Sequence, residues 1–320
     1  MTAVFTDDDR REIAGRARTL AERLDGPANV AEETPPIDPE RVLDEWRATF
    51  PDEETFRARL AREDLTEETV REQIAATRWP ADEPLPEWIG RLSELVGRVE
   101  SSTEVDRAAV STPDETPFEE LLAAVVSVAR EEVSVEAVPM KAISSLERQL
   151  AGRLESLCVR PLYVEFKSFV EHHDPELAAT SPDEVADPPT DYYERFVAAM
   201  FDGGFRSLCL EYPVLARQLV SLVGDWRNAV EELCQRVAAD RDALREEFDV
   251  RGDVTDLDAL AEDAHAGGRV PVRVAFEEGA VVYKPRPVGG EVAFYEILDG
   301  VDDHLSTPDF ESPTLLEREG

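Results

Sequence analysis

Four adjacent residues, Tyr283-Lys284-Pro285-Arg286, include the residue type best suited to hold a phosphate group. Lys284 is one of only three lysines in the 320-residue chain, and the other two are Lys141 and Lys167. A lysine at the end of a strand is the cation that binds ATP phosphates in kinase-like folds. The alternative is a solvated lysine at a strand end. The rarity of lysine favours a phosphate-binding role for Lys284.

A second candidate site lies about twenty residues earlier, in Glu262-Asp263-Ala264-His265. Residues i and i+2 of an extended segment project to the same side, so Asp263 can contact His265. A carboxylate can hold an imidazole in one tautomer, and such a pair can act as a general acid or base. The glycines at 267 and 268 would let backbone N–H groups approach a phosphate. A solvated loop pair is the alternative.

The other histidines and the cysteines give no metal site, including no zinc site. His172-His173 falls in a proline-rich segment that we expect to be an exposed loop, and His304 stands alone. Cys158, Cys209 and Cys234 are odd in number, lie far apart and form no C-x-x-C pair. We therefore expect reduced cysteines that are buried as small hydrophobic residues.

The segment before Lys284 predicts a β-hairpin. Apolar residues alternate over 270–276 and continue over 280–283, and Gly279 can supply the positive φ of a tight turn. The preceding chain, to about residue 260, has apolar residues at helical spacing. The fold class is therefore predicted as mostly α: a helical N-terminal region followed by a β-hairpin.

Two helix starts and one polar segment organise the helical part. Asp38-Pro39 predicts a helix with a capping aspartate and a first-turn proline, and Thr116-Pro117-Phe118-Glu119 predicts a capping box. The polar residues 101–115 indicate a boundary. The predicted parts are a helical region over 1–112, a partial catalytic domain over 113–305, and a flexible tail over 306–320.

The net charge of −37 is spread along the whole chain. Because 42% of the residues are hydrophobic and fall into helical patterns, most of the chain should fold. A dispersed acidic surface is typical of proteins that work at high salt, where screening reduces self-repulsion. This charge argues against nucleic acid or an anionic membrane as a partner. No transmembrane segment and no basic signal-peptide start are seen, which predicts a cytoplasmic protein.

These motifs together resemble the dehydratase domain of class II lanthipeptide synthetases, the LanM type. The resemblance rests on Asp-x-His, a following glycine and strand, an acidic-Gly turn and Tyr-Lys-Pro-Arg, and it is most specific over residues 191–286. Upstream, Tyr212-Pro213-Val214-Leu215-Ala216-Arg217 is also similar. The family usually has Gly-Asp-Pro-His where this chain has Glu262-Asp263-Ala264-His265.

The resemblance implies a lipid-kinase-like core that uses ATP and Mg²⁺. Such enzymes phosphorylate Ser and Thr of a precursor peptide and then eliminate the phosphate. By this resemblance, Lys284 would hold the ATP phosphates, and Asp263 and His265 would act in elimination. The segment after Lys284 has 36 residues, and the two asparagines, Asn29 and Asn228, both precede it. We therefore expect the kinase-like C-lobe, with its Mg²⁺ ligands, to be absent.

The resulting hypothesis is a fragment, or a split N-terminal half, of a LanM-type dehydratase that is inactive alone. Its partners would be a precursor peptide and a separately encoded C-terminal half. The alternative is a non-catalytic peptide-binding module derived from that family.

Overall fold

The structure is a computed structural model that describes residues 4–25, 38–75, 78–113, 115–134, 138–180, 190–261, 266–302 and 313–318. The chain is mostly helical with a small antiparallel sheet near its C-terminal end, which confirms the predicted fold class. No kinase-like C-lobe is seen in these ranges.

The helices are α1 (Asp7–Arg16), α2 (Leu20–Asp25), α3 (Pro39–Arg47), α4 (Glu53–Arg62), α5 (Glu67–Ala75), α6 (Glu87–Glu100), α7 (Glu104–Ala108), α8 (Glu119–Glu131), α9 (Ser144–His173), α10 (Pro175–Ala179), α11 (Asp191–Ala199), α12 (Phe205–Glu211), α13 (Pro213–Ala239), α14 (Arg241–Phe248) and α15 (Gly289–Asp302). The strands are β1 (Arg251–Ala259), β2 (Val272–Glu278) and β3 (Ala280–Tyr283).

The chain divides into two compact units. The first comprises Met1–Ser102 and Arg160–Ser221, and the second comprises Thr103–Val159 and Leu222–Gly320. The boundaries predicted after residues 112 and 305 stay predictions.

In the first unit, helices α3 to α5 enclose a small aromatic cluster. Leu43, Phe56 and Val70 are fully buried there, and the Trp46 ring meets the Phe56 ring edge to face, with 5.3 Å between centroids. Asp38 caps α3 as predicted, because its carboxylate accepts a hydrogen bond from the Glu40 amide at 3.0 Å. The capping aspartate thus fixes where the helix that supplies Leu43 and Trp46 begins.

In the second unit, Trp226 of α13 is the largest fully buried side chain. Its indole N–H donates to the backbone oxygen of Leu146 at 3.0 Å, so α13 is tied to the start of α9. Val230 and Leu233 follow at helical spacing and are also buried. This face of α13 is core, and the polar residues beside it remain available for other contacts.

The capping box predicted at Thr116 is wrong. Helix α8 begins at Glu119, directly after Phe118, whose φ of 56° lies in the left-handed region. The Thr116 hydroxyl instead donates to the backbone oxygen of Pro113 at 3.0 Å. The Phe118 ring is only 4% exposed, and its burial offsets the cost of this left-handed backbone conformation.

The sheet has three strands in the order β1-β2-β3, all antiparallel. The β2-β3 hairpin was predicted, and Gly279 has the expected positive φ of 90°. Strand β1 was not predicted. Its pairing with β2 is irregular between Arg251 and Val254 and again between Val254 and Asp256, so its buried residues do not alternate.

The hairpin ends at the residue that precedes Lys284. In its register Val274 lies opposite Val281 and Val272 lies opposite Tyr283. The buried side chains of β2 fix the hairpin in the core of the second unit, because Val272 and Val274 are 3% and 0% exposed. Lys284 therefore emerges just beyond the last paired residue, a few residues before α15 begins.

Candidate functional site

Lys284 forms an ion pair with a carboxylate of the following helix. Its Nζ lies 3.1 Å from Oε1 and 3.0 Å from Oε2 of Glu291, in the first turn of α15. The Lys284 side chain is 37% exposed and the Glu291 side chain 25%. The hydrogen bond from Lys284 is the main reason that the pKa of Glu291 lies below its usual value, with Arg286 adding to the effect. Lys284 is therefore held at one place and does not extend freely into solvent.

Arg286 reaches the same carboxylate. Its Nη2 lies 2.5 Å from Oε1 of Glu291. The backbone between the two cations is a three-residue turn around Pro285, in which the Arg286 amide donates to the Lys284 oxygen at 2.8 Å. Two positive charges thus share one negative charge.

Tyr283, the residue before Lys284, is anchored to α13. Nη1 of Arg236 donates to the Tyr283 hydroxyl at 2.8 Å, and the guanidinium carbon lies 5.8 Å from the centre of the tyrosine ring. Burial raises the pKa of Tyr283, although the nearby Arg236 charge acts in the opposite direction. This contact fixes the end of β3 against a helix and so restrains the backbone that carries Lys284.

Arg236 belongs to a short chain of charged groups on α13. Its Nη2 lies 2.5 Å from Oε1 of Glu232, one turn earlier. The other oxygen of Glu232 accepts hydrogen bonds from Arg269, which lies just before β2, with Nε and Nη2 both at 2.8 Å. Glu232 therefore links the segment that enters β2 with the residue that anchors the end of β3.

A cavity of about 550 Å³ lies beside these residues, within the second unit. Its charged lining consists of five cations and two carboxylates: Arg236, Arg269, Lys284, Arg286, Arg318, Glu232 and Asp240. Its apolar lining includes Val237, Leu244, Phe248, Val281 and Leu316. With Glu291 included, five cations face three carboxylates, a local surplus of positive charge that favours an anion, although the net charge of the chain is −37.

The segment over residues 313–318 forms one wall of the cavity. Arg318 Nε lies 2.9 Å from Oδ1 of Asp240, close to the end of α13. Leu315 and Leu316 are half-buried. This wall therefore consists of apolar side chains and of Arg318, whose charge is balanced by Asp240.

The predicted pair Asp263 and His265 lies outside the described residues. The chain is described again from Ala266, and Gly267 and Gly268 both have positive φ, 73° and 75°. A side chain at Gly268 would meet the backbone of Asp225, since an added Cβ would lie 3.1 Å from the Asp225 carbonyl carbon. The glycine therefore allows this segment to pack directly on α13.

Sequence reasoning missed Glu291, Arg236 and Glu232. A signal existed for each: Glu291 follows Lys284 by seven residues and falls in the first turn of an amphipathic helix, and Glu232 and Arg236 are spaced i, i+4. Nothing in the sequence indicated that Arg236 would meet Tyr283, because 47 residues separate them.

The remaining candidates behave as surface or core. His172 and His173 form the last turn of α9, where a loop was expected, and both are exposed. Cys158, Cys209 and Cys234 are free and buried, as predicted. Burial raises the pKa of Cys158 to about 12. Among the residues that the structure describes, no three His, Cys, Asp or Glu side chains come together as a metal site.

Within the described ranges, no helix is both long and apolar enough to cross a membrane.

The C-terminal third of the given sequence is similar to a known family. The model of a family described as "Domain of unknown function (DUF4135)" matches residues 212–320, about a third of the chain. The matched part contains the sheet, α15 and every charged residue that lines the cavity. No curated protein matches the chain.

Proposed function

We propose that this chain supplies the nucleotide-holding part of a LanM-type lanthipeptide dehydratase. The complete enzyme would phosphorylate Ser and Thr of a precursor peptide and then eliminate the phosphate, in the cytoplasm. On this proposal the chain is inactive alone and works with a separately encoded C-terminal half. The observation that carries the proposal is the Lys284–Glu291 ion pair beside the cationic cavity.

The order of elements around this ion pair supports the proposal. In kinase-like folds, a strand lysine holds ATP phosphates and pairs with a glutamate of the helix that follows. Here β3 ends at Tyr283, Lys284 comes next, and Glu291 lies in the first turn of α15. The family match over residues 212–320 also overlaps the part of the chain in which the resemblance to LanM-type enzymes is most specific.

The residues that line the cavity fit a nucleoside triphosphate by their chemistry. Lys284 is a compact positive charge suited to phosphate oxygens, and Glu291 keeps its ammonium group in place. Val237 and Phe248 provide an apolar part of the cavity wall. ATP, when bound, supplies the phosphoryl group. By the resemblance, the Mg²⁺ ligands of such enzymes belong to the kinase-like C-lobe.

For elimination, we propose Asp263 and His265 as the acid–base pair. Removal of phosphate from a phosphorylated Ser or Thr requires a base at the α-proton and an acid for the leaving oxygen. The neighbouring Glu262 should favour protonated His265, which suits the role of acid better than that of base. This assignment rests on the sequence alone.

A dehydration assay tests the proposal. The chain is incubated with ATP, Mg²⁺ and a Ser/Thr-rich precursor peptide, alone and with the downstream-encoded chain, and loss of water is followed by mass spectrometry. We expect dehydration only with both chains, and its loss with Lys284→Met. Lys167→Met is the matched control, because Lys167 is also exposed but lies in the first unit.

Three results would contradict the proposal in different ways. Dehydration by the lone chain would show that the second lobe is not needed. Equal dehydration by the Lys284→Met and Lys167→Met proteins would remove Lys284 from the site. If the peptide binds with unchanged affinity to every variant and no product forms, the chain is a peptide-binding module.

A further inference from the structure

The turn around Pro285 directs two cationic side chains to one point. The Arg286 amide donates to the Lys284 oxygen at 2.8 Å, which closes a three-residue turn. Both side chains then reach Glu291, with Nζ of Lys284 at 3.0 Å and Nη2 of Arg286 at 2.5 Å. Two cations that can touch one carboxylate can also touch one small anion of similar size.

The charges at this point do not balance. Glu291 carries one negative charge, and its lowered pKa keeps it ionised at neutral pH. Lys284 and Arg286 carry two positive charges, and both line the cavity. One positive charge is therefore left over at the cavity wall, although acidic residues outnumber basic ones about two to one in the chain.

The contact between Arg286 and Glu291 is exposed, so it contributes little to folding. The Arg286 side chain is 58% exposed, and ion pairs between exposed groups stabilise proteins only weakly. An interaction with a bound anion would be stronger, because guanidinium offers two parallel N–H donors that match phosphate oxygens. Replacement of Arg286 should therefore change anion binding much more than stability.

We propose that Arg286 is a second phosphate-binding residue of the cavity and acts with Lys284 on the same phosphate group. The inference rests on the proposed function for the identity of the ligand as a nucleotide. The proposed function needs only Lys284, held by Glu291, as a phosphate-binding residue. Arg286 is an additional one. In the bound state Arg286 turns some of its donors from Glu291 to the phosphate oxygens, while Glu291 continues to hold Lys284.

The test is calorimetric titration of the full chain with ATP and, separately, with inorganic tripolyphosphate, at one fixed ionic strength at which the chain is folded. Arg286→Gln should weaken the binding of both ligands about tenfold or more, since a charge-assisted hydrogen bond is lost. Arg286→Lys should retain part of the affinity, because the charge remains but the planar donor pair is lost.

Arg251→Gln is the matched control. It removes the same charge from an exposed arginine at the start of β1, whose partner is Asp249 at 2.7 Å and which does not line the cavity. We expect its affinities to remain within about twofold of the wild type. Equal weakening by Arg251→Gln and Arg286→Gln would show a general charge effect and overturn the inference.

The outcomes separate this inference from the proposed function. If Lys284→Met weakens ATP binding and Arg286→Gln does not, the inference fails and the proposed function stands. If Arg286→Gln abolishes tripolyphosphate binding while the wild type shows no preference for ATP, Arg286 binds phosphate but the nucleotide assignment fails. Binding of neither ligand to the wild type overturns both.

Discussion

Two clusters of ion pairs, one in each unit, differ in how their cations meet a carboxylate. In the first unit, the guanidinium of Arg217 meets the Glu22 carboxylate through two parallel contacts of 2.5 Å, and the Arg18 charge also lies near Glu22. In the second unit, Lys284 and Arg286 both meet Glu291. Arg217 thus uses both terminal nitrogens on one carboxylate, whereas Lys284 and Arg286 share a single carboxylate at the wall of a cavity.

The surroundings of the two clusters support this difference. Nη1 of Arg217 also donates to the Ala17 oxygen at 3.1 Å, and its guanidinium carbon lies 5.7 Å from the centre of the Trp88 ring. Glu22 also accepts a hydrogen bond from the Thr19 amide at 2.8 Å. The donors and acceptors of the first cluster are thus used within the protein. The second cluster borders a cavity of about 550 Å³.

Lowering the salt concentration should have the largest effect of all, a loss of the folded state. With a net charge of −37, self-repulsion grows when the Debye length rises from about 3 Å at 1 M salt to about 10 Å at 0.1 M. We expect the helical circular-dichroism signal to fall over this range. A signal that stays constant would contradict adaptation to high salt.

Removal of the first-unit arginine should have the next largest effect. We expect Arg217→Ala to lower the free energy of unfolding by about 2 kcal/mol, because a two-contact ion pair and a hydrogen bond are lost. ATP affinity should not change. Urea titration measures the change in stability.

Arg57→Ala is the control for Arg217→Ala. Arg57 is 72% exposed and pairs with Glu53 one turn away, so its removal should cost less than about 0.5 kcal/mol. If the two substitutions lower the free energy of unfolding equally, the contacts of Arg217 stabilise the fold no more than an exposed ion pair does.

Acid should weaken the first cluster. The hydrogen bond from Arg217 is the main cause that lowers the pKa of Glu22 from 4.5 to about 2. A carboxylate with a lowered folded-state pKa stabilises the fold above its unfolded pKa, and this contribution is lost as the pH falls from about 4.5 towards 2. Since Glu22 is 42% exposed, we expect only about 1 kcal/mol.

Thermal unfolding of the wild type and of Glu22→Gln between pH 6 and pH 3 measures this contribution. The difference between the two proteins should shrink as the pH falls. A difference that stays constant across this range would show that Glu22 does not titrate as described.

Removal of Glu291 in the second unit should have the smallest effect. Glu291→Gln removes the carboxylate that holds Lys284 in place, so inorganic tripolyphosphate should bind about threefold more weakly, although a negative charge beside the anion is lost as well. Glu296→Gln is the control, because it removes an exposed carboxylate of the same helix. Tighter binding by Glu291→Gln alone would indicate that Glu291 competes with the bound anion more than it positions Lys284 and Arg286.

The parts of the fold that depend on neighbouring residues were predictable from the sequence. Asp38 identified the start of α3, and Gly279 identified the hairpin turn. Strand β1 was missed because its irregular pairing separates Val254 and Leu257 by three residues, so the period of two on which strand prediction depends is absent.

The contacts that complete the site depend on residues that are distant in sequence. Lys284 was identified because lysine is rare in this chain, but its neighbour Tyr283 is anchored by Arg236, 47 residues earlier. The Glu22–Arg217 pair spans 195 residues. Such pairs follow from tertiary packing, which a single sequence does not specify. Asp263 and His265 stay predictions, because they lie outside the described residues.

Calorimetric titration of the lone full chain with ATP tests the central claim most directly. The claim is that Lys284, held by Glu291, binds the phosphates of a nucleotide. At a fixed ionic strength, we predict that Lys284→Met weakens ATP binding about tenfold or more without changing the midpoint of thermal unfolding. Lys167→Met should leave the ATP affinity unchanged. Equal ATP affinity of the wild type and Lys284→Met would contradict the account.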